Sequence, residues 1–204
     1  MPRTSERGGP QTRAKILDVA ITMFLEHGYD NVTVAEIARA AGVSSVTVFK
    51  HFPRKEDLFL DRADDAAALL RSAVRERGDS VTVLTSLQDA ISALSDASHP
   101  LSGLDERSVA FLRTVAGSGA LIARARQISA ELQAVLTDEL ERDEVFEGDS
   151  ALLAAFFING YASVLVETAR RRVAGDSLDE VASDHNARLT ALLDALTNGF
   201  STHG

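Results

Sequence analysis

The chain has 204 residues, 45% of them hydrophobic and 25% charged, and carries a formal net charge of −9. This composition is typical of a soluble globular protein with one or two domains. The absence of cysteine excludes disulfide bonds and thiolate chemistry and fits a reducing cytoplasm. No run of about 18 apolar residues stands out, so we expect no membrane-spanning helix, and the N-terminus lacks the apolar core of a signal peptide.

The charges are unevenly distributed. Residues 1–60 hold 8 basic and 7 acidic side chains, whereas the remainder holds 13 basic and 23 acidic ones. An acidic total argues against nucleic-acid binding. Because the excess of acid lies beyond residue 60, the first quarter of the chain stays a candidate for binding DNA.

The N-terminal segment predicts a short flexible arm at residues 1–11 and then a helix. The helix begins near Thr12 and ends at Gly28, which stands where a C-cap would. Its apolar side chains recur at helical spacing. They are Ile16, Leu17, Ala20, Met23 and Phe24.

Two short helices separated by a glycine follow. Thr33 can cap the first of them, and Glu36, three residues on, completes a capping box. This helix ends at Gly42, and Ser44 can cap the second one. The second helix stops before Pro53, because a proline in a helix interior costs about 3 kcal/mol.

Helical spacing continues through the rest of the chain. The predicted helices beyond Pro53 lie at about 55–76, 84–94, 105–115, 120–141, 150–173 and 177–198. The sequence therefore predicts an all-α fold of about nine helices, three short and six longer.

One face of the second short helix is expected to point to solvent. With Val48 directed to the core, a rotation of 100° per residue turns four side chains outward and leaves His51 at the boundary. The four are a cation, a hydroxyl and two apolar groups, with no acid: Val46, Thr47, Phe49 and Lys50.

Two interpretations fit this pair of helices. In a helix-turn-helix motif the second helix enters the major groove of DNA, where apolar side chains meet thymine methyl groups and polar ones meet base edges or phosphates. An αα-hairpin inside a helical bundle, with Val46 and Phe49 packed against a neighbour, explains the turn alone equally well. The N–H groups at the capped helix starts and the cations Arg54 and Lys55 favour DNA binding, because both suit phosphate oxygens.

Residues 13–60 resemble the DNA-binding domain of the TetR family of bacterial transcriptional regulators. The resemblance rests on the frame FxxxGYxxVTVxxIAxxAGVS, the ending HF-P-x-K-E-D-L and the spacing between them. Members of this family are dimers with a three-helix DNA-binding domain and a larger helical domain that binds a small molecule. The resemblance implies a helix-turn-helix DNA-binding domain at 12–54 and a ligand-binding and dimerisation domain at 55–204.

The resemblance also implies DNA contacts for individual residues. Thr33 and Lys55 would contact phosphates. The remaining contacts, to the DNA backbone or to base edges, would come from Ser44, Ser45, Thr47, Lys50 and His51. The family usually has tyrosine, whose hydroxyl often bonds a phosphate, where this chain has Phe49, and Val46 is bulkier than the residue common at its position. Both departures are expected to change which sequence is bound rather than whether DNA is bound.

The last two predicted helices are the most apolar. One is apolar nearly all round and the other carries a long stripe, and such surfaces must be covered. A four-helix interface between two copies covers both, and the family dimerises in this way; a core within one chain explains the first helix equally well. We expect dimer contacts from Val181, His185, Leu189, Leu192 and Leu196.

Candidates for a small-molecule pocket combine aromatic and polar groups on apolar helices. They are Phe111, Phe156, Phe157, Asn159 and Tyr161. Taken singly, each phenylalanine is better explained as an ordinary core residue, and Asn159 by a hydrogen bond to a neighbouring helix. The five histidines are scattered without the clustered partners that a metal needs, so we expect no metal and no cofactor.

Two functions stay open on the sequence. One is a repressor that binds a pseudo-palindromic operator as a homodimer and is released by a small-molecule effector. The other, raised by Phe49, is a helical small-molecule-binding or scaffold protein that has lost sequence-specific DNA binding. An enzyme is disfavoured, because the sequence has no cysteine nucleophile, no G-x-S-x-G elbow and no H-E-x-x-H zinc motif.

Overall fold

The structure, a computed structural model, describes residues 9–105 and 108–200, except for the side chain of Phe200. These residues form nine α-helices and two 3₁₀ helices, which confirms the predicted all-α fold. The α-helices are α1 (Gly9–His27), α2 (Val34–Ala41), α3 (Ser45–His51), α4 (Ala63–Arg75), α5 (Val83–Asp96), α6 (Ser108–Gly117), α7 (Gly119–Glu141), α8 (Ser150–Ala174) and α9 (Leu178–Phe200). Residues 1–8 of the predicted arm lie outside the described residues, and the arm's last three residues already belong to α1.

The chain divides into two compact units. The first comprises the residues up to Asp61 together with Thr114–Arg124, and the second comprises Arg62–Arg113 together with the residues from Ala125 onward. The first unit thus extends beyond the boundary predicted after residue 54.

The first unit is built on α1, α2 and α3. The ring of Phe24 packs against those of Tyr29 and Phe59, with centroids 5.0 and 5.7 Å away. Tilted and edge-to-face arrangements of this kind are the favoured aromatic contacts. The other buried apolar side chains are Ile16, Ala20, Val32, Ile37, Ala38, Ala41, Val48, Phe52, Leu58 and Leu121.

The fourth helix begins later than predicted. A 3₁₀ helix, Glu56–Leu58, occupies the position of its expected first turn, and α4 starts only at Ala63. Leu58 and Phe59 are both fully buried in the first unit. Neighbouring residues lie about 100° apart on an α-helix, so a continuous amphipathic helix would expose one of the two.

Two contacts fasten the segment Thr114–Arg124 within the first unit. Nε of Arg124 lies 2.8 Å from Oδ1 of Asp57, and both side chains are largely buried. The Ser118 hydroxyl donates to Asp30 at 3.2 Å. Two carboxylates of this unit are therefore engaged internally.

The main core of the second unit lies among α4, α5, α7, α8 and α9. Its fully buried side chains include Leu87, Leu136, Leu140, Leu153 and Phe157. Gly160 lets α8 approach α9 closely, because a Cβ at this position would collide with the side chain of Leu192.

The stripe predicted to form a dimer interface belongs to the chain's own core. Val181, Leu189 and Leu196 are at most 5% exposed, and His185 is fully buried. Leu192 is partly buried against the same core. Four of the five side chains are therefore covered within the chain, and their assignment to a dimer interface is corrected. An apolar stripe reveals that a helix face is buried, but not what buries it.

Among the described helices, α8 is long and apolar enough to cross a membrane by length and composition, contrary to the sequence expectation. Core helices of soluble proteins meet the same criterion. Leu153 and Phe157 of α8 are buried in the second unit, and so are the polar Thr168 and Arg172. We therefore interpret α8 as a helix with one face in the core, with 33% of its most apolar stretch buried.

Candidate nucleic-acid interface

The turn between α2 and α3 has the geometry of a tight helix-turn-helix. Gly42 has a φ of +70°, in the left-handed region, which costs other L residues roughly 1–2 kcal/mol. The N–H of Val43 bonds the carbonyl of Ala38 at 2.9 Å and closes α2. Ser44 caps α3 by accepting a bond from the N–H of Thr47 at 3.1 Å. One helix thus ends and the next begins within three residues.

The outward face of α3 consists of the side chains predicted from its periodicity. Val48 is fully buried and Phe52 is 2% exposed, and together they fix how α3 is rolled on the core. Val46 is therefore 79% exposed and Phe49 49% exposed, and Lys50 is exposed beside them. The structure agrees with the predicted directions, while contact with DNA stays a prediction.

The hydroxyl groups of Ser44 and Thr47, at the start of α3, share one hydrogen bond. Oγ of Ser44 and Oγ1 of Thr47 lie 2.9 Å apart, so one of the two donates to the other. The second hydroxyl proton is left to bond an oxygen from outside. Ser45 and Thr47 are half-buried, as is His51, which lies at the predicted boundary of the face.

Thr33 caps α2 as predicted, but its polar groups are already in use. Its hydroxyl and its N–H both donate to Oε2 of Glu36, at 2.7 and 2.8 Å. These bonds hold the pKa of Glu36 below its usual range. Because a carboxylate repels a phosphate, the contact proposed for Thr33 requires Glu36 to move. The first-turn N–H groups of Val34 and Ala35 need no such change.

Lys55 is turned inward. Its Nζ donates to the carbonyl of Tyr29 at 2.5 Å and lies 4.1 Å from the centroid of the Tyr29 ring. Burial lowers the pKa of Lys55, and nearby carboxylates, chiefly Asp30, oppose that shift. Lys55 therefore secures the turn after α1, and its phosphate contact stays a prediction.

Two cations near the turn were not singled out from the sequence. Lys15 of α1 is exposed, and a Cβ on Gly42 would lie 3.7 Å from its Nζ. Arg39, in the last turn of α2, is also exposed. Neither forms an ion pair within the described part of the chain. Both occupy polar helix positions, and only the packing of α1 on α2 shows that Lys15 lies beside the turn.

The five residues predicted to line a pocket do not come together. Phe157 is 1% exposed in the core of the second unit, whereas Phe156 is 54% exposed, and Asn159 is exposed as well. Adjacent side chains on a helix point about 100° apart, so Phe156 and Phe157 cannot line one cavity. Phe111 and Tyr161 are half-buried. That these five residues line a single pocket stays a prediction, which their different exposures do not support.

A cleft of about 230 Å³ lies between the α4–α5 and α7–α8 connections of the second unit. Arg77, Val83 and Phe146 are among its lining residues. Arg77 is paired with Asp143, whose pKa it lowers by a hydrogen bond. None of the residues predicted to line a pocket borders this cleft.

In this three-helix bundle, α3 follows a glycine turn and exposes a face without acidic residues. This arrangement is typical of helix-turn-helix DNA-binding proteins. Residues 16–61 match the family described as bacterial regulatory proteins, tetR family. By this match the first unit carries the DNA-binding domain of the TetR family of bacterial transcriptional regulators.

Known relatives resemble the chain over different lengths. The HTH-type transcriptional repressor KstR2 of Rhodococcus jostii is 29% identical over 202 residues, which cover 91% of this chain and 98% of that protein. The repressor AcnR of Corynebacterium glutamicum is 42% identical over 67 residues, which cover 33% of this chain and only 36% of that protein. The stronger identity is thus confined to about a third of each chain.

Solved structures share the fold. FadR of Thermus thermophilus, a TetR-family repressor in complex with lauroyl-CoA, superposes with a TM-score of 0.58 at 21% identity, over 94% of this chain and 96% of that one. NalD of Pseudomonas aeruginosa gives a TM-score of 0.58 at 19% identity, over 97% of this chain and all of that one. At these identities the likeness concerns the fold alone.

Proposed function

We propose that the protein is a dimeric transcriptional repressor that binds a pseudo-palindromic operator through α3 and leaves it when a small-molecule effector binds. The observation that carries the proposal is the outward face of α3, which is exposed and free of acids beside a glycine turn. The names of KstR2 and AcnR as repressors support this direction of regulation. The protein would act in the cytoplasm and not as an enzyme.

DNA reading would combine shape, apolar contact and charge. The methyl groups of Val46 suit the thymine C5-methyl group in the major groove. Phe49 has no hydroxyl for a phosphate and would make van der Waals contact with a sugar or a thymine. Lys50, exposed in the last turn of α3, would meet a phosphate or a base edge, as would His51. In a symmetric dimer the two α3 helices would lie about 34–36 Å apart, one turn of DNA.

The dimer would use the exposed face of α8 rather than the buried stripe of α9. Leu152, Phe156 and Val166 are between 49% and 69% exposed. With the exposed Asn159 and Ser163, their spacing of three and four residues puts them on one side of α8. Large apolar groups in such a row mark an interaction surface. A second copy is the occupant we propose, since twofold symmetry makes the same row face itself.

Release from DNA would follow a shift between two forms of the dimer. In one form the distance between the two α3 helices matches the operator, and in the other it does not. An effector that binds the second form more tightly, by a few kcal/mol, would move most molecules into that form.

Selection from random DNA duplexes with the purified protein tests the proposal. We expect a recovered palindrome whose half-sites are about 10 base pairs apart, bound with a steep salt dependence. Recovery of sequences without symmetry would contradict the proposal that a symmetric dimer binds the operator. Binding that ignores both sequence and salt would favour the second candidate, a ligand-binding or scaffold protein without operator recognition, for which the missing hydroxyl of Phe49 is the supporting observation.

A further inference from the structure

A row of polar side chains lies in the interior of the second unit, beyond the apolar core. Tyr161, Thr168 and Arg172 are 7 and 4 residues apart and therefore share one face of α8. His185 of α9 meets this face, because its Nδ1 lies 2.9 Å from the hydroxyl oxygen of Thr168. The ring of His185 also packs edge-on against Tyr161, with centroids 6.1 Å apart. We call these four residues the polar row.

The hydrogen bonds of the polar row define which atoms still lack a partner. The Thr168 hydroxyl donates to the carbonyl of Val164 at 3.0 Å, so it accepts from the Nδ1–H of His185. Nε2 of His185 is then an unprotonated acceptor, and burial, which lowers the pKa of His185, keeps the ring neutral. This Nε2 and the hydroxyl of Tyr161 are both buried without a hydrogen bond among the described residues.

Arg172 is the charged member of the polar row. Its side chain is 9% exposed, its Nε has no hydrogen-bond partner, and no carboxylate pairs with it within the described part of the chain. By contrast, the neighbouring Arg170 and Arg171 are paired with Glu167 and Asp176. A buried cation without an anion is costly. The C-terminal end of α8 offsets part of this cost, but it supplies no acceptor for Nε.

Three unsatisfied buried groups in one row indicate a place where something binds, because buried polar groups in native proteins are nearly always bonded. We propose that the polar row binds an oxyanion, a carboxylate or a phosphate, of the small-molecule effector, with Arg172 as its counter-ion. The acceptor of His185 and the hydroxyl of Tyr161 bond polar groups farther along the same molecule, because Tyr161 and Arg172 are about 16 Å apart along α8. This inference rests on the proposed function, since it assigns the effector's chemical class and its place in the fold.

Thermal denaturation of the full chain in matched salts tests this assignment. The probes are sodium acetate, sodium benzoate and sodium phosphate, each compared with sodium chloride at equal ionic strength and pH, and benzamide is the uncharged counterpart of benzoate. We expect at least one oxyanion to raise the Tm of the wild-type chain by roughly 3–5 °C at about ten times its Kd. Benzamide has no such effect. The comparison of acetate and benzoate with phosphate shows which oxyanion is preferred.

Arg172→Met removes the counter-ion. The matched control is Arg170→Met, because Arg170 is exposed and lies two residues away on the same helix. The rise in Tm persists in Arg170→Met and disappears in Arg172→Met. In chloride alone, Arg172→Met has the same Tm as the wild-type chain or a higher one, because it removes an unpaired buried charge. Should Arg172→Met not fold, Arg172→Gln takes its place with the same expectation for the oxyanion response.

Equal oxyanion responses in the wild-type chain and in the Arg172 variant overturn the assignment, including no response in either. A lower Tm of the variant in chloride also overturns it, because Arg172 would then be a structural cation at the end of α8. None of these measurements involves DNA. A wild-type chain that responds to an oxyanion but binds no operator would refute the proposed function and leave the oxyanion site standing.

Discussion

At the scale of single residues, two lysines of the first unit show that a cation near DNA can serve different purposes. Lys50 is exposed in the last turn of α3, and no hydrogen bond or ion pair among the described residues holds its ammonium group. Lys55 is held by the carbonyl of Tyr29 and by two aromatic rings. A hydrogen bond from a charged group contributes more than a neutral one, so the two lysines differ in what their loss should change.

We expect Lys50→Ala to leave the free energy of unfolding within about 0.5 kcal/mol of the wild-type value. It should reduce the slope of log K against log salt by about 0.9 per subunit, the amount for one phosphate contact. Fluorescence anisotropy with the selected operator at several salt concentrations measures the slope. An unchanged slope would remove Lys50 from the phosphate contacts.

Lys55→Ala is the informative counterpart. Loss of the bond to Tyr29 should lower the free energy of unfolding by roughly 1–2 kcal/mol, measured by urea denaturation. If Lys55 also contacts a phosphate, as the family resemblance implies, the salt slope falls by about 1 as well. A stable variant with an unchanged slope would contradict both roles.

At the scale of elements, the helix-turn-helix depends on one residue between α2 and α3 whose backbone is in the left-handed conformation. Gly42 adopts a φ of +70° there, and its position decides the angle at which α3 leaves α2. Space is not the obstacle to a side chain, because the nearest atom to an added Cβ is Nζ of Lys15 at 3.7 Å. The constraint lies in the backbone conformation itself.

Gly42→Ala is therefore expected to lower the free energy of unfolding by about 1–2 kcal/mol. Gly117→Ala is the matched control in the same unit, since it has no positive φ and an added Cβ meets nothing within 4 Å. That control should be neutral or stabilising by up to about 1 kcal/mol. Urea denaturation of both variants compares them. Equal stability would show that the backbone of the turn relaxes without cost.

In the second unit an ionic contact joins α4 to α7. Oε2 and Oε1 of Glu139 accept from Nε and Nη2 of Arg75 at 2.5 and 2.7 Å, and the carboxylate is only 4% exposed. These bonds, with Arg142 and Arg71 nearby, lower the pKa of Glu139 below its usual 4.5. Folding thus favours the ionised form. The stabilisation is complete above about pH 4.5 and is lost as the pH falls through the lower pKa of the folded state.

Glu139→Gln should accordingly lower the free energy of unfolding by about 1–2 kcal/mol at pH 7, discounted because Arg75 is itself exposed. The difference from the wild-type chain should shrink as the pH is lowered from 5 to 3. Asp138→Asn, in an exposed pair with Arg142, is the control and should change stability by less than about 0.5 kcal/mol. A difference that stays constant with pH would show that packing, not charge, is lost.

At the scale of the whole molecule, what matters is which apolar surface remains for a second copy. The interior stripe of α9 is used up inside the chain, whereas α8 keeps Leu152, Phe156 and Val166 exposed. Burial of such a row contributes roughly 25 cal/mol per Å² of apolar surface. A dimer would bind the operator more tightly than a monomer. Once one α3 helix is bound, the other is held at a high effective concentration near its half-site.

Val166→Glu should convert the dimer into a monomer, because a symmetric interface buries the new charge twice. Val145→Glu, at a site 74% exposed and outside α8, is the control and should stay dimeric. Sedimentation velocity measures the assembly, and we expect the monomeric variant to lose at least tenfold in operator affinity. If Val166→Glu stays dimeric like the control, this face of α8 is ruled out as the interface.

The sequence by itself determined the local structure of the first unit. The capping residues Thr33 and Ser44, the stop at Gly42 and the burial of Val48 follow from hydrogen bonding, backbone sterics and helical periodicity, which act within a few residues. These local rules were sufficient to turn Val46 and Lys50 outward.

Only the tertiary structure decided the partners of each surface. Periodicity shows that Leu189 must be buried, but the core of its own chain, not a second copy, covers it. In the same way, sequence spacing did not reveal that Lys55 bonds Tyr29, or that Nε of Arg172 is buried without a hydrogen bond among the described residues. Burial and pairing depend on atoms far away along the chain, so they become fixed only when the helices pack.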